Sequence, residues 1–241
     1  MFPHFERQLE QKRRALLRAH HIICVSESTR RDLLELYEVE PERVSVVLLG
    51  SSIETAAGPP REVDFPYFLH VGARWEYKNF GRLLQAFGET RLYRTHRLVS
   101  FCERPFSAEE LAMIKAAGIP EGCVLSASGD DEVLARYYAG AEALVFPSLY
   151  EGFGIPLVEA MCCGCPIIAS NVSSLPEIAG DAAIYFDPKD VTSIEKALLS
   201  VVSSRETRTA LIDRGRARAR RFSWERCAAE TYAVYKALAD R

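Results

Sequence analysis

The 241-residue sequence has no apolar run of 18 residues, so no helix of it is expected to span a bilayer. Its first stretch, MFPHFERQLEQKRR, lacks the apolar centre of a secretory leader. Excess charge is also lacking: 30 basic side chains stand against 33 acidic ones, for a net charge of −3. Chains that coat nucleic acid are far more basic, so no nucleic-acid partner is expected. The GxGxxG and P-loop patterns are missing, which speaks against dinucleotide oxidoreductases and NTPases. So is the GxSxG elbow of hydrolases. Cys162-Cys163-Gly164-Cys165 has no second Cys/His pair at zinc spacing. It reads as a helix end with a glycine turn. Seven cysteines, an odd number, point to reduced thiols and a cytoplasmic setting. With 48% apolar and 26% charged residues, disorder is excluded as well.

What is present is a regular alternation. Short apolar runs predict strands at 22–25, 44–48, 67–71, 97–102, 122–126, 143–146, 166–169 and 183–186. Helical patterns fall at 5–19, 79–89, 107–117, 130–139, 155–163, 190–203, 205–220 and 223–238, with Ser26 or Ser28 capping one more through Tyr37. Ser107-Ala108-Glu109-Glu110 has the spacing of a capping box, and Asp130 stands where a cap belongs. Short apolar strands alternating with helices imply an α/β fold, a parallel sheet covered on both faces. The small residues and Pro pair of 51–60 mark a linker. The expected division is 1–50 as one unit, 51–65 as linker, 66–222 as the main domain and 223–241 as a closing helix.

Open parallel sheets bind ligands beyond the carboxyl ends of their strands. Two loops there carry chemistry. In Gly72-Ala73-Arg74-Trp75-Glu76-Tyr77-Lys78-Asn79-Phe80 the glycine allows a close turn, and Arg74 and Lys78 lie four residues apart. Like charges at that spacing repel unless an anion sits between them, and a phosphate or diphosphate is the natural anion. The alternative is that Glu76 neutralises one of them and both are solvated. In Glu151-Gly152-Phe153-Gly154-Ile155-Pro156-Leu157-Val158-Glu159-Ala160-Met161 the Gly-Phe-Gly turn exposes N–H groups, and Pro156 suits a first helical turn. A carboxylate aimed at an anion site would repel the anion, so Glu151 suits hydroxyl groups instead. A glycosidase pair would need carboxyls roughly 5–9.5 Å apart. Eight residues of helix give about 12 Å, closer to two ends of an extended ligand. Arg214, Arg216, Arg218, Arg220 and Arg221 read as a solvated helix face, with an anionic membrane leaflet or partner as the alternative.

Together these residues resemble glycosyltransferase family 4, the "glycosyl transferases group 1" domain of GT-B enzymes. The match extends to Ile22–Thr29, to Ser174-Leu175-Pro176-Glu177 and to Phe222-Ser223-Trp224-Glu225. The resemblance implies a Rossmann-like domain that transfers a sugar from a nucleotide sugar, with retention and with no metal or other cofactor. It gives Arg74, Lys78 and Glu151 catalytic roles. It makes Gly72, Gly152, Phe153, Gly154, Leu157 and Glu159 donor-binding, with Glu151 on the sugar, Glu159 on the ribose and the base near 124–128. Cys102-Glu103-Arg104 and Ala127 replace glycines usual in the family. The first 50 residues resemble only the end of a first, acceptor-binding domain. A separate polypeptide carrying that half, or self-association, is therefore expected, with peripheral contact at the inner face of a membrane. Two rival classes are a non-catalytic nucleotide-sugar-binding subunit and a nucleotide-sugar epimerase.

Overall fold

A computed structural model describes residues 5–53, 63–74 and 76–240. Most of the 51–60 linker lies outside them. The chain opens with α1 (Phe5–Arg18), β1 (Ile22–Cys24), α2 (Glu27–Leu36) and β2 (Val44–Val46). Strands β1 and β2 pair in parallel as a two-stranded sheet. Cys24, Leu33, Val39 and Val44 form its small core.

The rest winds as β3 (Tyr67–Val71), α3 (Phe80–Glu89), β4 (Arg97–Phe101), α4 (Ala108–Ala116), β5 (Val124–Ala127), α5 (Asp131–Gly140), β6 (Ala143–Phe146), α6 (Ile155–Cys162), β7 (Ile167–Ser170), α7 (Leu175–Ala179) and β8 (Ala183–Phe186). Helices α8 (Val191–Ser203), α9 (Arg205–Ala219) and α10 (Trp224–Ala239) close the chain. The six strands form one parallel sheet in the order β5-β4-β3-β6-β7-β8. Alternate residues of each strand serve opposite faces. Leu69, Leu144 and Ile167 pack with Leu134, Tyr138, Leu157 and Met161 of α5 and α6. Phe68, Leu98, Val145 and Ile168 pack with Leu83, Phe87, Ile194 and Leu198 of α3 and α8. Each such side chain contributes about 1.5–3 kcal/mol by leaving water, so the two apolar layers hold the sheet.

The predicted strands and helices are present, with ends shifted by a residue or two. The 44–48 strand stops at Val46, and the 122–126 strand starts at Val124, after a left-handed Gly122. Helix α7 was not predicted, because five residues give no helical period. Ser26 is the cap of α2, its side chain accepting the Thr29 N–H. Ser107 and Glu110 form the full capping box of α4, and Asp130 caps α5.

One expectation is corrected. The arginine cluster on α9 is not simply a solvated face. Arg218 donates from Nε to the Ile178 carbonyl and from Nη2 to the Glu177 carbonyl, satisfying the end of α7. Arg214, Arg216, Arg220 and Arg221 are exposed. Helix α10 has no buried residue, with Tyr232 and Tyr235 68% and 63% exposed. Its start is fixed nonetheless. A Cβ on Gly50 would lie 2.4 Å from the Trp224 nitrogen, and Trp224 Nε1 donates to Ser52 Oγ at 3.0 Å. Among the described residues no helix is long and apolar enough to cross a membrane.

Candidate functional site

The strand order reverses direction between β3 and β6. A crevice opens at such a point, beyond the carboxyl ends of the two strands. The two loops singled out in the sequence leave from those ends. Gly72 follows β3 at φ +105°, and its N–H bonds the Phe101 carbonyl at the end of β4. Asn79 then adopts a left-handed conformation, which asparagine tolerates. Its amide donates to the Pro147 carbonyl at 3.0 Å and the Pro188 carbonyl at 2.7 Å. The Leu149 N–H meets the Tyr77 carbonyl at 2.7 Å. The β3 loop is thereby fastened to the β6 loop across the crevice.

Between them stands one ion pair. Lys78 Nζ donates to Glu151 Oε1 at 2.7 Å, and each side chain is only 14% exposed. Nζ also lies 5.2 Å from the Phe146 ring centroid and 5.3 Å from that of Tyr77. Spacing along the chain suggests one anion between Arg74 and Lys78. The structure instead gives each cation its own carboxylate. Arg74 donates from Nε to Glu110 Oε1 at 2.7 Å, from Nη1 to Ser100 Oγ at 3.2 Å, and from Nη2 to the Arg104 and Pro105 carbonyls. It also lies over the Phe106 ring at 4.7 Å and is 3% exposed. Its neutralising partner is Glu110, not Glu76. Burial tends to raise the Glu110 carboxyl, but hydrogen bonds from Arg74 and the Ser107 N–H outweigh it and hold the group below its usual range. His70, buried in β3 beside this network, is pushed down to about 3 by burial, then by the charges of Arg74 and Lys78. It stays neutral at ordinary pH.

The Glu151–Gly154 turn is held from behind. Ser173 Oγ accepts the Glu151 N–H, and Ser174 Oγ donates to the carbonyls of Glu151 and Phe153. Gly154 has φ +95° and starts α6. A Cβ there would stand 2.9 Å from Leu175 Cδ2. The side chains of Phe153 and Leu157 are buried in the core, Phe153 edge-on to Phe222. Either could meet a ligand only through its backbone.

Glu159 lies further along α6. Tyr138 on α5, wholly buried, donates its hydroxyl to Glu159 Oε2 at 2.8 Å. Nothing in the sequence spacing revealed this partner. Burial raises the Glu159 carboxyl above its usual range; the Tyr138 bond opposes the rise and Asp131 adds to it. A carboxyl whose folded value lies above its unfolded value stabilises the fold below the unfolded value, and that gain is lost as pH rises through the folded value. Glu159→Gln keeps an acceptor for Tyr138 and removes the charge. Its melting temperature should therefore exceed that of the parent by more at pH 7 than at pH 5. Thermal melts at both values check this, and a loss at pH 7 would contradict it.

Burial also keeps Cys163 a thiol, pushing it up to about 12, and Cys165 rises further still. Both are packed side chains. Ser148, at the end of β6, is wholly buried, and its hydroxyl has no partner among the described residues.

This parallel, doubly wound sheet with its crevice loops is the arrangement of a GT-B glycosyltransferase domain. Sucrose-phosphate synthase from Thermosynechococcus elongatus superposes with a TM-score of 0.84 at 24% identity, over 98% of this chain and 62% of that one. An Anabaena protein solved with UDP and glucose gives 0.80 at 16% identity, over 98% and 68%. The chain belongs to the glycosyl transferases group 1 family, which it matches over residues 51–218. It is 34% identical to O-antigen chain mannosyltransferase B of Escherichia coli, over 90% of its own length and 60% of that protein. It is also 34% identical to the MMP alpha-(1->4)-mannosyltransferase of Mycolicibacterium hassiacum, over 96% and 57%. The chain thus spans somewhat over half the length of these relatives.

Proposed function

We propose that this chain is the donor-binding part of a retaining glycosyltransferase of family 4 that acts in glycan or polysaccharide biosynthesis. The observation that carries the reading is the Lys78–Glu151 pair, which bridges the sheet crevice beside the start of α6. A diphosphate sits against Lys78 and the first N–H groups of α6, where a helix N-terminus favours negative charge. These groups stabilise the charge that develops on the leaving diphosphate. No metal is needed for that. Glu151 accepts hydrogen bonds from hydroxyls of the transferred sugar, and its contact with Lys78 joins sugar and leaving group in one network. Glu159, held by Tyr138, accepts from the ribose hydroxyls. Arg74 is a positioning residue in this reading, because its guanidinium is already committed to Glu110 and two carbonyls. Mannose is the first sugar to test, since both 34%-identical relatives are named mannosyltransferases. The layer formed by 5–50 is part of an acceptor-binding domain, and a second polypeptide or self-association completes the acceptor side.

The test is a titration of diphosphate and sugar nucleotide against two variants. Glu151→Gln should weaken GDP-mannose or UDP-glucose while sparing GDP or UDP. Glu159→Gln should weaken all of them. Equal losses for both ligand types in Glu151→Gln would contradict a sugar contact. Product stereochemistry, read by NMR with an added acceptor half, tests retention.

A further inference from the structure

We propose that Ser26, Thr29 and Ser174 are positioning residues for the donor diphosphate. They fix the carbonyls of residues 151–153 so that the N–H groups of residues 152–154 face the phosphates. This rests on the donor-site reading above.

The Gly152 carbonyl accepts two hydroxyls from the start of α2, Ser26 Oγ at 2.7 Å and Thr29 Oγ1 at 3.0 Å. Ser174, at the start of α7, shares its single proton between the Glu151 carbonyl at 2.9 Å and the Phe153 carbonyl at 3.0 Å. Helices α2 and α7 form one corner, because Glu177 of α7 accepts the N–H groups of Glu27 and Ser28 at 2.8 and 3.0 Å. Three successive carbonyls therefore point toward the same corner. The described peptide bonds are trans. In a trans peptide the N–H of the next residue points opposite to the carbonyl. The N–H groups of Gly152, Phe153 and Gly154 consequently all face away from the α2–α7 corner. Left-handed Gly154 then hands the run on to α6.

Consecutive amides turned to one side make an anion-binding concavity. Fixed in advance, they cost no reorganisation when the ligand arrives. Ser26 and Ser174 are wholly buried, so their hydroxyls are held in this role by packing. Ser26 also caps α2 by accepting the Thr29 N–H, and its own proton is shared between the Gly152 carbonyl at 2.7 Å and Thr29 Oγ1 at 3.0 Å. Two of the three positioning residues come from the 5–50 layer. Donor affinity is thus tied to the 5–50 layer as well as to the main domain.

The test uses the full chain and calorimetric titration with GDP against guanosine, and UDP against uridine. Thr29→Val and Ser174→Ala are combined, with Lys78→Met in parallel. The combined variant should bind the favoured diphosphate about tenfold more weakly, the scale of losing aligned donors to a charged group. Its affinity for the nucleoside should be unchanged. Thr29→Ser, which restores a hydroxyl, should recover most of the loss seen in Thr29→Val and guards against a simple folding defect. Parent-like diphosphate affinity in the combined variant, while Lys78→Met is weakened, would overturn this inference and leave the donor site standing. Equal losses for diphosphate and nucleoside would overturn it too. A parent that prefers neither diphosphate over its nucleoside would remove the donor-site reading and this inference together.

Discussion

Replacing Lys78 with alanine is expected to weaken diphosphate binding and to destabilise the fold in the same step. The pair it forms with Glu151 is short at 2.7 Å, and both partners are largely out of water. Deleting one member leaves the other buried without compensation, which costs about 3 kcal/mol at such sites. Binding should fall by about 1.5–3 kcal/mol, the range for hydrogen bonds to charged groups. The two effects separate in the double variant Lys78→Met/Glu151→Gln. There no unpaired charge remains, so urea midpoints should return close to the parent value. Diphosphate affinity should stay low, because the cation is still absent. Recovery of affinity along with stability would show that Lys78 acts on the fold alone.

Arg74→Met should destabilise the link between the β3 loop and α4. The guanidinium ties β3 to the Arg104–Glu110 segment through Glu110, two carbonyls and Ser100. Its loss leaves the Glu110 carboxylate with only the Ser107 N–H and returns two exposed carbonyls to water, for about 1–3 kcal/mol. The change also carries a pH signature. Because the folded Glu110 carboxyl lies below its unfolded value, its contribution is present above the unfolded value and lost as pH falls through the folded one. In Arg74→Met that acid-side loss should shrink. Denaturant titrations between pH 3 and pH 7 measure both parts. An Arg74→Met protein with parent stability but no diphosphate affinity would instead make Arg74 a direct phosphate ligand.

The elements were legible in the sequence because each strand is a short apolar run and many of the helices start at a capping side chain. Tyr67–Val71, Ala143–Phe146 and Ala183–Phe186 fall where the pattern puts them. The order of strands was not legible, since alternation of strand and helix is compatible with several windings. The partners of the charged residues depend on that order. Glu110 lies 36 residues from Arg74 and Glu151 lies 73 from Lys78, so spacing along the chain set Arg74 against Lys78 and missed both carboxylates. Tyr138 looked like any aromatic of a core helix, and only the packing of α5 against α6 turns its hydroxyl to Glu159. A local signal did exist for Glu110, which the capping box had already named. A capping carboxylate has a second oxygen, and here that oxygen serves Arg74.

The most direct measurement is a crystal structure of the full chain grown with GDP or UDP in the presence of EDTA. The account expects the phosphates at the carboxyl ends of β3 and β6, within hydrogen-bond distance of Lys78 Nζ and of the N–H groups of Gly152 to Gly154, with the ribose at Glu159. Phosphates bound elsewhere on the chain, or bound there only when magnesium replaces the chelator, would contradict it.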